Sequence, residues 1–136
     1  MNAAKPARLS DEDYVELLRF RDALRRFLHW SEAEATAAGL TPAQHQLLLA
    51  VRGHGGRPTI GDVAEHLILR HHSAVELVDR AERAGLLHRR PDPDDHRIVR
   101  LELSTDGEAR LAALSAAHLD ELHRLQTGLR LRRLDP

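Results

Sequence analysis

The sequence contains no cysteine. That removes disulfide frameworks, thiolate nucleophiles, zinc–thiolate centres and thiol redox sensors together. Aromatic residues make up only 3% of the 136 positions, and Val and Ile together number nine. Strands draw on those residue types, so the composition argues against an all-β sandwich or barrel. No apolar run approaches the ~20 residues that span a bilayer, and the opening MNAAKPARLSDED lacks the apolar core of a signal peptide. Neither sign of charge dominates: 20 basic residues face 21 acidic ones, for a net charge of −1. What remains is rich in Leu (24) and Ala (19), with 42% hydrophobic residues overall. That share lies in the globular range, so wholesale disorder is excluded. The expectation is one mostly helical, soluble, cytoplasmic domain with no membrane partner.

A balanced charge does not by itself suggest nucleic acid. The basic residues are almost all arginine, 19 against one lysine, and arginine favours directional contacts to phosphates and carboxylates. Their positions therefore matter more than their sum.

Helix signals run along most of the chain. After a polar stretch at residues 1–9, Ser10 and Asp13 have the form of a capping box, followed by Tyr14, Leu17, Leu18, Leu24, Phe27 and Leu28 at helical spacing. The Ala-rich stretch from Ser31 to Gly39 either continues this helix or ends it. Thr41-Pro42-Ala43-Gln44 opens a second helix, with Thr41 as cap and Pro42 in the first turn. Thr59-Ile60-Gly61-Asp62 opens a short third one. Ile68 and Leu69 form a turn into a longer helix from roughly Arg70 to Ala84, which Gly85 terminates.

Beyond Gly85 the period changes. Leu86–Arg90 and Val99–Leu103 read as two short strands around the turn-rich Pro91–Arg97, and Ser104–Glu108 caps a last helix. Along that helix Leu111, Leu114, His118, Leu122, Leu125 and Leu129 recur at spacings of three and four. The predicted fold is mainly α with a two-stranded β wing. It divides into an N-terminal dimerisation helix and connection (1–39), a winged helix-turn-helix (40–107) and a C-terminal dimerisation helix (108–136).

A short helix turned tightly into a longer one is how a helix-turn-helix presents its second helix to the major groove. The hairpin supplies a wing with a basic tip. On this geometry Arg70, His71, His72 and Ser73 lie on the turn entering the groove, with Glu76 and Arg80 following on the same face. Arg89, Arg90 and Arg97 are available for phosphates. The bland reading is a solvated helix face on which Glu76 and Arg80 pair at i,i+4. The flanking helices have apolar seams that the winged unit does not need. Tyr14, Leu17, Leu114, His118, Leu122 and Leu125 are therefore assigned to a homodimer interface.

The series Leu40-Thr41-x-x-Gln44, Ile60-x-x-Val63-Ala64-x-x-Leu67, Leu77-Val78-Asp79-Arg80-Ala81-Glu82-x-x-Gly85-Leu86, Asp92-Pro93-x-Asp95-x-Arg97 and Leu103-Ser104-x-x-Gly107 resembles the multiple-antibiotic-resistance regulator (MarR) family of winged-helix transcription factors. The resemblance covers residues 40–107. It implies a homodimer on a pseudo-palindromic operator, usually a repressor released by a small molecule. Arg97 matches the wing arginine that enters the minor groove, and Asp95 the acid that holds it. Residues 71–73 and 76 fall where the family reads bases. Here the usual small residues are replaced by Arg70-His71-His72, and Glu76 stands where a basic or polar residue is common. Glu76 would then accept from a cytosine amine or tether Arg80. The resemblance also implies a ligand between dimerisation helices and winged unit, where Arg26, Phe27, Trp30 and His45 suit a small aromatic acid.

Two rival classes stand beside this reading. Ten histidines invite a metal, and the local clusters are His71-His72 with Glu76, Asp94-Asp95-His96, and His118 with His123. None offers four ligands at a recognised spacing, so no metal or cofactor is assigned and zinc-responsive regulation is the alternative. An enzyme, or a small His-rich metal-binding protein, is the remote one. No Gly-x-Ser-x-Gly elbow, phosphate-binding loop or dinucleotide fingerprint is present.

Overall fold

The computed structural model describes residues 8–128. Its elements run α1 (Asp11–Ala37), α2 (Pro42–Gly53), α3 (Ile60–Leu67), α4 (His71–Arg83), β1 (Leu87–Pro91), β2 (Val99–Leu103) and α5 (Thr105–Gly128). Leu129, the last position of the expected α5 seam, lies outside the described residues, as do residues 1–7 and 130–136.

Three helices begin at capping boxes that close as the sequence indicates: Ser10 with Asp13, Thr41 with Gln44, and Thr59 with Asp62. In each, the cap side chain accepts the third amide of the helix while that residue's side chain accepts from the cap amide, satisfying two orphan donors. The Ala-rich stretch extends α1 to Ala37, and Gly39 takes the left-handed turn at φ +79°. The α3–α4 turn has its left-handed residue at Ile68 (φ +54°), a branched side chain that is 92% exposed. Holding such a residue there costs roughly 1–2 kcal/mol, and the tight turn sets α4 across α3.

The core is built from one face of each element of the winged unit. Leu47, Leu48 and Val51 of α2, Val63 of α3, Val78 and Ala81 of α4, Leu87 of β1 and Leu101 of β2 are buried together with Leu86. The strands pair antiparallel in the register Leu87↔Leu103, Arg89↔Leu101 and Pro91↔Val99. Pro91 thus closes the strand at its outer end, where no further ladder amide is required. The Leu101 amide also donates to the Pro58 carbonyl at 2.8 Å, fastening the α2–α3 connection to the wing.

Leu111 and Leu114 of α5 belong to this same core. That corrects the assignment of Leu114 to a dimer interface: the first turns of α5 are consumed by the chain's own winged unit. His118 is likewise turned inward, half-buried against α1 and α2. The rest of the seam stays open. Of α1's 27 residues only Ala35 is buried, and Tyr14, Val15, Leu17 (62% exposed), Leu18, Leu24 and Leu28 face solvent, as do Leu119 and Leu122 of α5. Leu125 is half-buried.

Candidate nucleic-acid interface

The α4 helix starts at Arg70, its N-cap, and buries Ala74, Val78 and Ala81. That seam turns Arg70, His71, His72, Glu76 and Arg80 outward, with Ser73 half-buried at its edge. None of the five exposed side chains makes an ion pair or hydrogen bond among the described residues. The expected Glu76–Arg80 tether is therefore not formed, and the bland reading of a self-paired helix face loses its main support. Arg70 caps α4 without a side-chain hydrogen bond, so the amides of the first turn also face outward beside it.

The wing tip is organised by an aspartate that sequence reading met only as part of a motif. Asp92 Oδ1 accepts the amides of Asp94 (2.8 Å) and Asp95 (3.0 Å), while Oδ2 accepts Nε–H of Arg100 at 2.6 Å. The Arg100 guanidinium, with those two amides, holds the Asp92 carboxyl at a pKa of about 2. Arg100 also donates to the Arg57 carbonyl at 3.0 Å. The short polar turn beginning Asp92-Pro93 was the available signal for this arrangement.

On that platform Asp95 grips Arg97 with two parallel bonds. Nε donates to Oδ1 and Nη2 to Oδ2, both at 3.0 Å, and the Arg97 amide donates to Oδ1 at 3.1 Å. The Asp95 carboxyl is lowered by Arg97, side chain first and amide second. The Arg97 side chain remains 89% exposed, so it is aimed without being covered. This is the geometry expected of the Asp95–Arg97 pair.

The other wing arginines differ. Arg89 is only 26% exposed and is bound at both ends, by Asp79 at 2.6 Å and Glu82 at 2.7 Å. Its guanidinium is thus committed to α4, which corrects its assignment as a free phosphate ligand; it joins β1 to α4. Burial pulls its pKa down, and the bonds to Asp79 and Glu82 outweigh that to leave it raised. Arg90 bonds Glu102 at 2.6 Å but stays largely exposed. Glu102, shared with Arg57, is lowered chiefly by Arg90.

The expected effector residues are only partly brought together. Phe27, Trp30 and His45 all surround His118, with ring centroids 5.9, 4.8 and 4.7 Å away. His118 Nδ1 donates to the Leu114 carbonyl, which leaves Nε2 to accept the Ser31 hydroxyl, both at 2.7 Å. Both ring nitrogens are thus satisfied within the chain, which corrects the assignment of His118 to the dimer interface. Burial first, and His118 second, lower the pKa of His45. Arg26 stands apart, lining a groove with Val15, Leu18, Arg19, Asp22 and Arg124. Phe27 also lines an apolar groove of about 510 Å³ between α1 and α5, with Phe20, Leu24, Leu119, Leu122 and Leu125. Among the described residues no helix is long and apolar enough to cross a membrane.

Comparison with known proteins agrees with this geometry. The family model described as MarR family matches residues 38–98. MdtR of Bacillus subtilis strain 168, an HTH-type transcriptional repressor, is 27% identical over 78 residues, which cover 57% of this chain and 50% of MdtR. The chain thus spans about half the length of that relative. Among solved structures, a MarR family protein from Bacillus stearothermophilus superposes with a TM-score of 0.74 at 24% identity, covering 87% of this chain and 82% of the other. AbsC, a MarR family transcriptional regulator from Streptomyces coelicolor, gives 0.71 at 20% identity over 93% and 85%. A Staphylococcus aureus MepR mutant bound to an oligodeoxyribonucleotide gives 0.66 at 21% identity over 92% and 87%. At these identities the structures establish the fold, and the sequence match covers its central unit. Residues 38–98 thus match the MarR family, and the chain as a whole has the winged helix-turn-helix fold of the solved MarR family proteins.

Proposed function

We propose that the chain acts as a homodimeric, sequence-specific repressor that holds a pseudo-palindromic operator and is released by a small aromatic acid. The observation that carries this reading is the exposed face of α4, whose charged and imidazole groups have no partner among the described residues, beside a wing arginine already oriented by Asp95. His71, His72 and Ser73 are placed to meet base edges or phosphates, and Glu76 to accept from a cytosine amine. Arg70, Arg80 and Arg90 supply positioning charge, and Arg97 enters the minor groove. The uncovered apolar face of α1 and distal α5, from Tyr14 and Leu17 to Leu122 and Leu125, supports a second copy as the dimer partner. The Phe27–Trp30–His45 cluster around His118 supports an effector site at the junction of α1, α2 and α5, without Arg26.

Selection of bound duplexes from a random pool tests the core of this reading. The expected result is an enriched motif of two inverted half-sites about 10 base pairs apart, bound by two chains. Absence of sequence enrichment, or a protein that stays monomeric at tens of micromolar, would overturn it. Benzoate serves as the probe for the effector class. It should raise the melting temperature of the wild-type protein and lower its DNA affinity, and Trp30→Ala should abolish both effects.

A further inference from the structure

We propose that His54 and His66 form a two-imidazole site for a divalent transition metal, with copper(II) preferred over nickel(II) and zinc(II). Neither residue belonged to the histidine clusters visible in the sequence, because they are 12 positions apart and meet only in the fold. His54 caps the C-terminal end of α2, and His66 sits in the last turn of α3. The Nδ1 of His54 lies 2.9 Å from Nε2 of His66, with the rings nearly perpendicular at 84°.

The far side of His54 supports the assignment. Its Nε2 faces Oδ2 of Asp62 at 3.6 Å. A carboxylate behind an imidazole keeps the proton on that nitrogen, so that Nδ1 presents its lone pair forward, as in histidines that ligate metals. Asp62 is not itself a ligand: the same Oδ2 accepts the Thr59 amide at 2.9 Å in the α3 cap. Among the described residues no three His, Asp or Glu side chains converge as a complete ligand set, so water would fill the remaining positions. The His54 side chain is 31% exposed, which leaves room for it.

The 2.9 Å separation is that of a hydrogen bond in the metal-free chain. The metal preference comes from affinity: for the same nitrogen ligands copper(II) binds more tightly than nickel(II) or zinc(II). Without metal, the two facing nitrogens must share one proton. Metal takes its place, and the proton moves through solvent to Nδ1 of His66. The clamp joins the end of α2 to the end of α3 and so closes the glycine-rich 53–56 connection from both sides.

The experiment uses the full chain, stripped with a chelator and titrated separately with copper(II), nickel(II) and zinc(II) chloride. Binding is read by calorimetry and by the visible absorption of the copper and nickel forms. One site per chain is expected, with copper bound more tightly than nickel or zinc. His54→Ala and His66→Ala should each weaken copper binding at least tenfold and abolish the metal-induced rise in melting temperature. Both residues are at the surface, and circular dichroism establishes that the variants fold. The double variant His71→Ala/His72→Ala should bind as wild type does. Copper binding that is unchanged in both single variants, lost instead in the His71/His72 variant, or undetectable in wild type at about 100 µM metal would each overturn the proposal. None of these readouts uses DNA, so the outcome is independent of the proposed operator binding.

Discussion

Replacing Arg89 with alanine separates a structural arginine from a DNA-binding one. Its guanidinium donates to Glu82 at 2.7 Å and to Asp79 at 2.6 Å, and Glu82 also accepts the Arg89 amide at 3.2 Å. Fully exposed ion pairs contribute about 0.2–1 kcal/mol each, and charge-assisted bonds in partly buried sites about 1.5–3. Asp79 and Glu82 are 45% and 39% exposed, which places the two bonds nearer the lower range, at about 2 kcal/mol together. Arg89→Ala would also leave two carboxylates facing each other across one turn of α4. For a chain of this length, 2 kcal/mol corresponds to a fall in melting temperature of roughly 6–10 °C.

A phosphate ligand would behave differently. Each phosphate contact contributes about 0.9 to the slope of log affinity against log salt. Thermal unfolding, together with fluorescence anisotropy on a selected operator at four salt concentrations, provides both readouts. Arg89→Ala should lose stability and keep the wild-type slope. Arg97→Ala should keep the melting temperature and flatten the slope by about 0.9. An Arg89 variant that melts like wild type while its slope flattens would refute the reasoning and return Arg89 to the DNA interface.

Further outcomes follow from other contacts. A Cβ on Gly107 would collide with the Leu86 carbonyl, and Gly107 donates to Ser104 Oγ at the start of α5. Gly107→Ala should therefore cost about 3 kcal/mol in denaturant unfolding, and an unchanged midpoint would mean that α5 can shift freely. Leu122→Glu together with Leu125→Glu places charge on the uncovered α1–α5 face and should give a folded monomer by sedimentation; a persisting dimer would place the interface elsewhere. The folded-state pKa of His45 is depressed below its ordinary 6.5, so the unfolded chain binds the proton more readily. The stability this provides is present above pH 6.5 and drains away as pH falls from there through the folded pKa. His45→Phe should reduce that slope between pH 7 and 5, and an identical pH profile would exclude His45 as its source. Asp95→Asn should bind operator threefold to tenfold more weakly despite losing a negative charge, because the freed Arg97 regains rotamer freedom worth up to about 2 kcal/mol against roughly 1 kcal/mol or less of relieved repulsion; equal or tighter binding would make Asp95 an ordinary solvated acid.

What the sequence disclosed and what it withheld divide along the range of the interactions. The three capping boxes, the left-handed Gly85 and the bidentate Asp95–Arg97 pair each span no more than a few residues, so their geometry follows from local spacing. The Arg89 triad and the His54–His66 pair join residues 7 to 12 positions apart across two elements, and no local pattern announces them. Periodicity failed in a different way on α5. Leu114 and Leu122 sit at equivalent positions of one seam, yet Leu114 is 4% exposed and Leu122 43%. A repeat of threes and fours identifies an apolar face, but not the point along it where the chain's own core ends. Arg26 follows the same logic: one residue before Phe27, it lies about 100° around the helix and so faces a different groove.

The near-zero net charge, which seemed to speak against DNA, is explained by where the charges are cancelled. Arg57, Arg89, Arg90 and Arg100 meet Glu102, Asp79, Glu82 and Asp92 inside or beside the wing, so that three of the wing's four arginines are spent on holding the hairpin together and to α4 and the α2–α3 connection. Arg52 and Arg110 are similarly matched by Glu108 and Asp106 on α5. Among the described residues Arg70, Glu76 and Arg80 on the exposed face of α4 are left without a partner, as are Arg19, Arg21 and Arg26 on α1, and Arg97 projects from the tip with its acid behind it. Exposed charges separated by more than about 8–10 Å are screened at physiological salt, so a phosphate backbone would respond to the charges beside it and not to the total. The same arginine-rich composition therefore serves two ends. Carboxylate pairs fix the scaffold, and the fixed scaffold lets a few uncompensated groups act in a defined direction. Net charge measures the sum of these two populations, and only the fold separates them.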